Sequence, residues 1–206
     1  MTHERPNYPL VIGLDLDGVI IDHSHAKHSL AVLHGRAILP HETPSEIMRT
    51  LFDAPVWERI QTLLYENPAI ATAPPLMRGV REGIEAIHTR GIPYYLISRR
   101  RSSGNGRVRA QELLKKRGLW GAHFSENNVF FVDRVEDKEI TAQHLGITHF
   151  VDDELKVLRA MSRTPIRFLF DPYHALPPEE SIHPIASWQM LVHHLLTSPA
   201  LSREGG

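Results

Sequence analysis

The sequence predicts an α/β fold, a parallel sheet of about five strands between two layers of helices, with a small helical segment inserted after the first strand. Three observations carry this. Short apolar runs rich in β-branched and aromatic residues recur along the chain. Helical patterns of about ten residues separate the later runs, and most of them end at glycine, the usual residue just past a helix. Residues 22–76, about 55 in number, break the alternation and show no strand pattern.

The first strand is expected from Leu10 to Leu16. Three helices are expected in the interval that follows. Ser24 to Leu33 reads as the first. Thr43-Pro44-Ser45-Glu46 offers a cap, a proline at the first helical position and a glutamate placed to close a capping box, starting a second helix through Phe52. Pro55 can start a third, through Tyr65, and the return at Ala73-Pro74-Pro75 suits a hinge.

Helix Val80 to Arg90, ending at Gly91, leads to a strand at Tyr94 to Ile97. Helix Val108 to Arg117, ending at Gly118, leads to a strand at Val129 to Val132. Helix Lys138 to Leu145, ending at Gly146, leads to His149 to Val151. Helix Glu154 to Ser162 leads to Ile166 to Phe170, Ser187 to Leu196 reads as a last amphipathic helix, and 198–206 as a frayed tail. Right-handed crossovers would make this a three-layer, Rossmann-like core. The domain reading is therefore 1–21 and 77–197 as the core, 22–76 as a helical cap and 198–206 as the tail.

Composition narrows the function classes. With 23 basic and 24 acidic residues the formal charge is -1, so no global field recruits nucleic acid or membrane. The absence of cysteine excludes disulfides, thiolate metal sites and cysteine nucleophiles. The polar opening from Met1 to Pro6 and the lack of an apolar run of about 18 residues argue against a signal peptide or membrane span, so a cytoplasmic protein is expected.

The chemistry starts at Asp15-Leu16-Asp17-Gly18, where an apolar strand runs into two carboxylates one residue apart. Alternation along a strand puts both on one side, at the carboxyl end where open α/β sheets carry their sites. Carboxylates that share a cleft repel one another unless a cation lies between them, and Mg²⁺ takes hard oxygen ligands together with a substrate phosphate. A second acidic pair, Asp152-Asp153, follows the fourth strand; Ser98 follows the second, and Lys138 opens the helix after the third. A parallel sheet brings all of them to one edge.

The ordered set Asp15-x-Asp17, Ser98, Lys138 and Asp152-Asp153 resembles the haloacid dehalogenase superfamily of phosphatases, over most of the chain. The position of the helical insertion, the acidic pair and the helix at Ser187-Trp188 most resemble its 5'-nucleotidase and deoxyribonucleotidase branch. The resemblance implies Asp15 as nucleophile and Asp17 as acid and base, the latter needing a raised pKa that neighbouring carboxylates could supply. It implies Ser98 and Lys138 on the phosphoryl oxygens, and Arg99, next after Ser98 in a basic run that departs from the nucleotidase-like pattern, is a further candidate for binding the phosphate. Mg²⁺ would lie on Asp15, the backbone carbonyl of Asp17 and the pair Asp152 and Asp153, with Asp153 the direct ligand and Asp152 its support.

Other features stay open at this level. Asp22 suits a hinge, the cap lining or a helix N-cap. The run Arg99-Arg100-Arg101, continuing to Arg107, suits a grip on phosphate or a solvated basic loop. His25 and His28 lie at a metal-ligand spacing, while His23 or His25 could face substrate. Trp57 and Tyr65 suit core packing or base stacking. The expected activity is hydrolysis of a small phosphorylated metabolite, such as a nucleoside monophosphate. Alternatives are a nucleic-acid-end phosphatase using the basic loop, a phosphomutase, or a regulatory binding protein of the same fold; a dehalogenase would not need Asp17.

Overall fold

The computed structural model describes residues 10–197. The expected tail at 198–206 and the polar opening at 1–6 lie outside this range. Six parallel strands form one sheet: β1 Ile12–Leu14, β2 Tyr94–Arg99, β3 Val129–Val132, β4 His149–Asp152, β5 Ile166–Phe170 and β6 His183–Ile185, in the order β3-β2-β1-β4-β5-β6. β1 is central, and Ile12 and Leu14 are fully buried. Helices α5 Val80–His88, α6 Gly106–Lys116, α7 Val135–His144, α8 Leu155–Ala160 and α9 Trp188–Leu196 accompany the strands. Two apolar clusters follow, one containing Leu14, Ile84, Leu113 and Trp188, the other Ile97, Phe150, Leu158 and Leu169.

The expected sheet forms with one strand more than anticipated. β6 escaped detection because it is three residues long and carries Pro184, a residue that cannot donate to a ladder and is tolerated at a sheet edge, where β6 lies. β1 is shorter than the apolar run that announces it. Its last ladder bond runs from the Asp15 N–H to Val151 O, after which the N–H groups of Ile20 and Ile21 turn back onto Leu16 O. Asp15 and Asp17 therefore stand in a turn just beyond the strand. α7 begins at Val135, three residues before the expected start, because Asp137 accepts from the Arg134 N–H and caps the earlier turn.

Residues 22–76 form α1 Ser24–Leu33, a short 3-10 turn at Pro40–Glu42, α2 Ser45–Leu51, α3 Ala54–Glu66 and α4 Pro68–Ala71. Their apolar cluster, with Leu30, Met48, Trp57, Ile60 and Leu64 at its centre, is separate from those of the sheet. The capping box expected at Thr43 and Glu46 does not form. The Thr43 hydroxyl donates to Pro40 O, and the Glu46 carboxylate reaches across to accept from the Lys156 N–H at 2.7 Å. That bond ties α2 to α8, so a tertiary partner has displaced the local one. The two connections to the sheet run side by side: Asp22 N–H donates to Pro75 O, and Met77 N–H to Ile20 O.

Candidate active site

β1, β2 and β4 are adjacent and in register, with Leu14 opposite both Leu96 and Val151. The residues that follow these positions therefore meet at one edge. Asp15, Asp17, Ser98, Arg99, Lys138, Asp152 and Asp153 all line one cavity of about 50 Å³. A larger groove of about 980 Å³, against Met77, Gly83 and Trp188, holds none of these carboxylates.

Lys138 projects from the first turn of α7 and is almost fully buried. Its ammonium donates to Asp15 Oδ1 at 2.6 Å and to Asp152 Oδ2 at 2.7 Å. The other Asp15 oxygen accepts from the Asp17 N–H, and the other Asp152 oxygen from the Glu154 N–H. Burial pushes the Asp15 carboxyl above its ordinary range despite Lys138 beside it, and pushes Asp152 up to about 7 against the same cation. Burial also raises Asp153 well above the usual range, with Lys27 opposing. These are carboxylates short of positive charge.

The cavity is lined by five carboxylates, those of Asp15, Asp17, Asp152, Asp153 and Glu154, against three cations, Arg99, Arg100 and Lys138. Asp15, Asp152 and Asp153 offer oxygens within 4.8 Å of one another, and they are the one group among the described residues with the acidic or histidine spacing to hold a metal ion. A hard-oxygen donor set with surplus negative charge fits Mg²⁺. Gly18 completes the cradle. At φ 79° it is in the left-handed region, and a Cβ there would fall 2.2 Å from Asp153 Oδ2, so a side chain would fill the space that carboxylate occupies.

Ser98, in β2, is fully buried, and its hydroxyl has no hydrogen-bond partner. The Arg100 Nε is likewise buried and unpartnered. Two orphan donors on one small cavity suit a tetrahedral oxyanion, because a buried polar group left unmatched is costly. Arg99 is half-buried on the same cavity wall, while Arg101 is exposed. Arg107 bonds to Asp133 at 3.0 Å and to Arg100 O at 2.9 Å, which secures the basic loop to the core.

Asp17 differs from expectation. Its Oδ1 is 2.7 Å from His23 Nε2, and its Oδ2 pairs with the Arg100 guanidinium. Burial opposes its charge, but Arg100 and then His23 outweigh burial and hold the carboxyl far below the ordinary range. The raised pKa expected for Asp17 is therefore reversed, because an arginine two residues past Ser98 and a histidine six past Asp17 reach it before the other carboxylates do. The basic run signals a charged loop, but which arginine turns inward is set by tertiary packing: the Arg100 guanidinium lies 4.5 Å from the centroid of the Tyr65 ring.

The remaining candidates have local partners. Asp22 accepts from the N–H and hydroxyl of Ser24, at the start of α1. His28 bonds to Ile38 O at 2.8 Å, and neither it nor His25 belongs to a metal-holding group. Trp57 is in the apolar cluster of the insertion. Lys27, which sequence reasoning passed over, is buried in α1, with its ammonium on Ser45 Oγ at 3.0 Å and within reach of the Asp153 charge. The Trp188 indole N–H donates to Val19 O at 2.8 Å, bracing the turn that carries Asp15 and Asp17.

No family model matches the chain, and no curated protein matches it. Solved structures do. A HAD family hydrolase from Deinococcus radiodurans R1, with bound phosphate and sodium, is 15% identical with a TM-score of 0.58, over 91% of this chain and 94% of its own. A HAD-superfamily hydrolase from Ehrlichia chaffeensis is 12% identical with a TM-score of 0.56, over 93% and 98%. A Bacillus subtilis protein described as a HAD-hydrolase, bound to magnesium, is 13% identical with a TM-score of 0.58, over 92% and 99%. The chain thus has the fold of HAD-superfamily hydrolases. Among the described residues no helix is long and apolar enough to cross a membrane.

Proposed function

We propose that this protein is a Mg²⁺-dependent phosphomonoester hydrolase that works through an aspartyl phosphate on Asp15, with residues 22–76 as a cap over the site. The observation that carries the reading is the convergence of Asp15, Lys138 and the orphan Ser98 hydroxyl on one cavity beside Asp152 and Asp153. The Deinococcus structure holds phosphate and the Bacillus one magnesium, the two ions this reading requires.

An Asp15 oxygen attacks phosphorus, the ester P–O bond breaks, and the leaving oxygen takes a proton from Asp17. Water then attacks the aspartyl phosphate while Asp17 takes its proton, releasing phosphate and restoring Asp15. Lys138 and the Ser98 hydroxyl hold phosphoryl oxygens, and Lys138 keeps Asp15 oriented between attacks. Asp15, Asp153 and the backbone carbonyl of Asp17 would hold Mg²⁺, supported by Asp152. Bound there, the ion supplies positive charge against the carboxylates and the transferring phosphoryl group. Ionised Asp17 is the base of the second step; for the first, a phosphate dianion competes for Arg100 and loosens the contact that keeps Asp17 charged.

The substrate is a small phosphorylated metabolite, since a closed cap excludes large folded partners. Nucleoside monophosphates are the leading candidates on the resemblance of the insertion's position, Asp152-Asp153 and the Ser187-Trp188 helix to the nucleotidase branch. Trp57 is engaged in the cap and Tyr65 is covered by Arg100, so base stacking would need Tyr65 to be uncovered. Sugar phosphates therefore belong in the same screen. The test is phosphate release from nucleotides and sugar phosphates with Mg²⁺, with EDTA and after Mg²⁺ is added back. Release that EDTA abolishes and Mg²⁺ restores is expected; no release from any ester with Mg²⁺ present would overturn the reading.

A further inference from the structure

We propose that the cavity between α3 and the loop after β2 is a subsite for a second oxyanion of the substrate, so that the preferred esters carry a second phosphate or a carboxylate on the same small molecule. The proposal rests on the phosphatase reading above and narrows its substrate class.

This cavity, of about 110 Å³, adjoins the one that holds Asp15, and Tyr65, Arg99 and Arg100 line both. A molecule with its phosphate at Asp15 can reach the second cavity past those three side chains. One wall is the polar face of α3, whose opposite face carries Trp57, Ile60 and Leu64 into the insertion's own apolar cluster. The other wall is the basic run that begins at Arg99, the last residue of β2.

The arginines of that run fall into two kinds. Arg100 pairs with Asp17, and Arg107 with Asp133 at 3.0 Å. The guanidinium groups of Arg99 and Arg101 have no hydrogen bond or ion pair among the described residues, although both border the cavity. Arg99, half-buried, feels the Glu154 charge without bonding to it. Two forked donors without acceptors, on one small cavity, suit a phosphate or a carboxylate. The loop is fixed before any ligand arrives, because the Ser102 N–H and the Arg107 guanidinium both bond to Asp133.

Two further features bear on the charge of the cavity. α6 begins in its wall at Gly106, with no side-chain cap and no acidic residue in the first turn, so its positive end adds to the arginines. Glu58 and Glu66 of α3 also border the cavity, but neither pairs with an arginine. Glu66 lies instead against the loop at Gly104, where a Cβ would fall 2.7 Å from its Oε1. Between the two glutamates, Gln61 and Thr62 give the α3 wall an uncharged stretch.

The experiment measures kcat/KM for phosphate release by the full chain, at constant free Mg²⁺, on esters matched except for the second oxyanion. Fructose 1,6-bisphosphate is compared with the two fructose monophosphates, and 3-phosphoglycerate with glycerol 3-phosphate. A preference of about tenfold or more for the doubly anionic ester is expected in at least one comparison, the scale of one hydrogen bond between charged groups. The comparison that shows it tells phosphate from carboxylate. Arg99→Gln should lower that ratio by about tenfold, and Arg101→Gln by about threefold, since Arg101 is exposed and its pairing is screened. Thr62→Glu, which puts a carboxylate on the α3 wall, should remove the preference, and Thr62→Gln should keep it. Each readout is a ratio within one protein, so a general loss of activity does not imitate it. Equal kcat/KM in both comparisons, turnover of p-nitrophenyl phosphate alone, or a preference that all of the charge-changing variants retain would overturn the proposal and leave the phosphatase reading standing. Release from none of the esters, p-nitrophenyl phosphate included, would instead overturn the phosphatase reading.

Discussion

The Lys138 ammonium lies 2.6 Å from Asp15 Oδ1, in a site where both side chains are buried and Asp152 shares the same cation at 2.7 Å. Lys138→Met would leave two buried carboxylates facing each other unpaired. Breaking a buried ion pair by removing one partner costs about 3–5 kcal/mol. Thermal denaturation should therefore show a clear fall in Tm, and phosphate release should be lost. A Tm equal to that of the wild type would mean that the ammonium does not neutralise Asp15.

Ser98 gives the opposite pattern. Its buried hydroxyl has no partner, so Ser98→Ala removes an unmatched polar group and should leave stability unchanged or slightly raised. If the hydroxyl instead binds a phosphoryl oxygen, kcat/KM for phosphate release should fall by roughly tenfold, the value of one hydrogen bond of about 1.4 kcal/mol. Paired denaturation curves and kinetics check both halves; a destabilised variant with full activity would contradict the assignment.

His149, in β4, stacks against Phe168 away from the carboxylates. Burial, and to a lesser extent His183, lowers its pKa to about 4 from an ordinary 6.5. The folded state thus prefers the neutral ring, and the unfolded chain binds more protons between those values. The contribution to stability is complete above pH 6.5 and is lost as pH falls toward 4, by roughly 3 kcal/mol at most. Urea denaturation between pH 7 and 4 should show this decline, and His149→Gln should show less of it. Identical pH dependence in the two proteins would rule His149 out as its source.

Much of the scaffold is legible in the sequence because its signals are local. The glycines that end three helices, Gly91, Gly118 and Gly146, all adopt φ between 65° and 68°, as the cap geometry requires. α1 matches its expected range. The signals that misled were also local, overtaken by distant partners. Glu46 looked like a capping residue and became a brace to Lys156. Of the site, the residues in the strand-end pattern could be listed from spacing alone. The hold on Asp17 could not, because His23, Arg100 and Tyr65 come from three segments whose meeting depends on the insertion folding back over the sheet.

In the proposed reaction Asp15 supplies the oxygen that attacks phosphorus. The most direct measurement is phosphate release from p-nitrophenyl phosphate, with Mg²⁺, by the wild-type protein and by Asp15→Asn, with folding verified by circular dichroism. Release by the wild type and none above background by the folded variant is expected. Turnover by Asp15→Asn at the wild-type rate would contradict it.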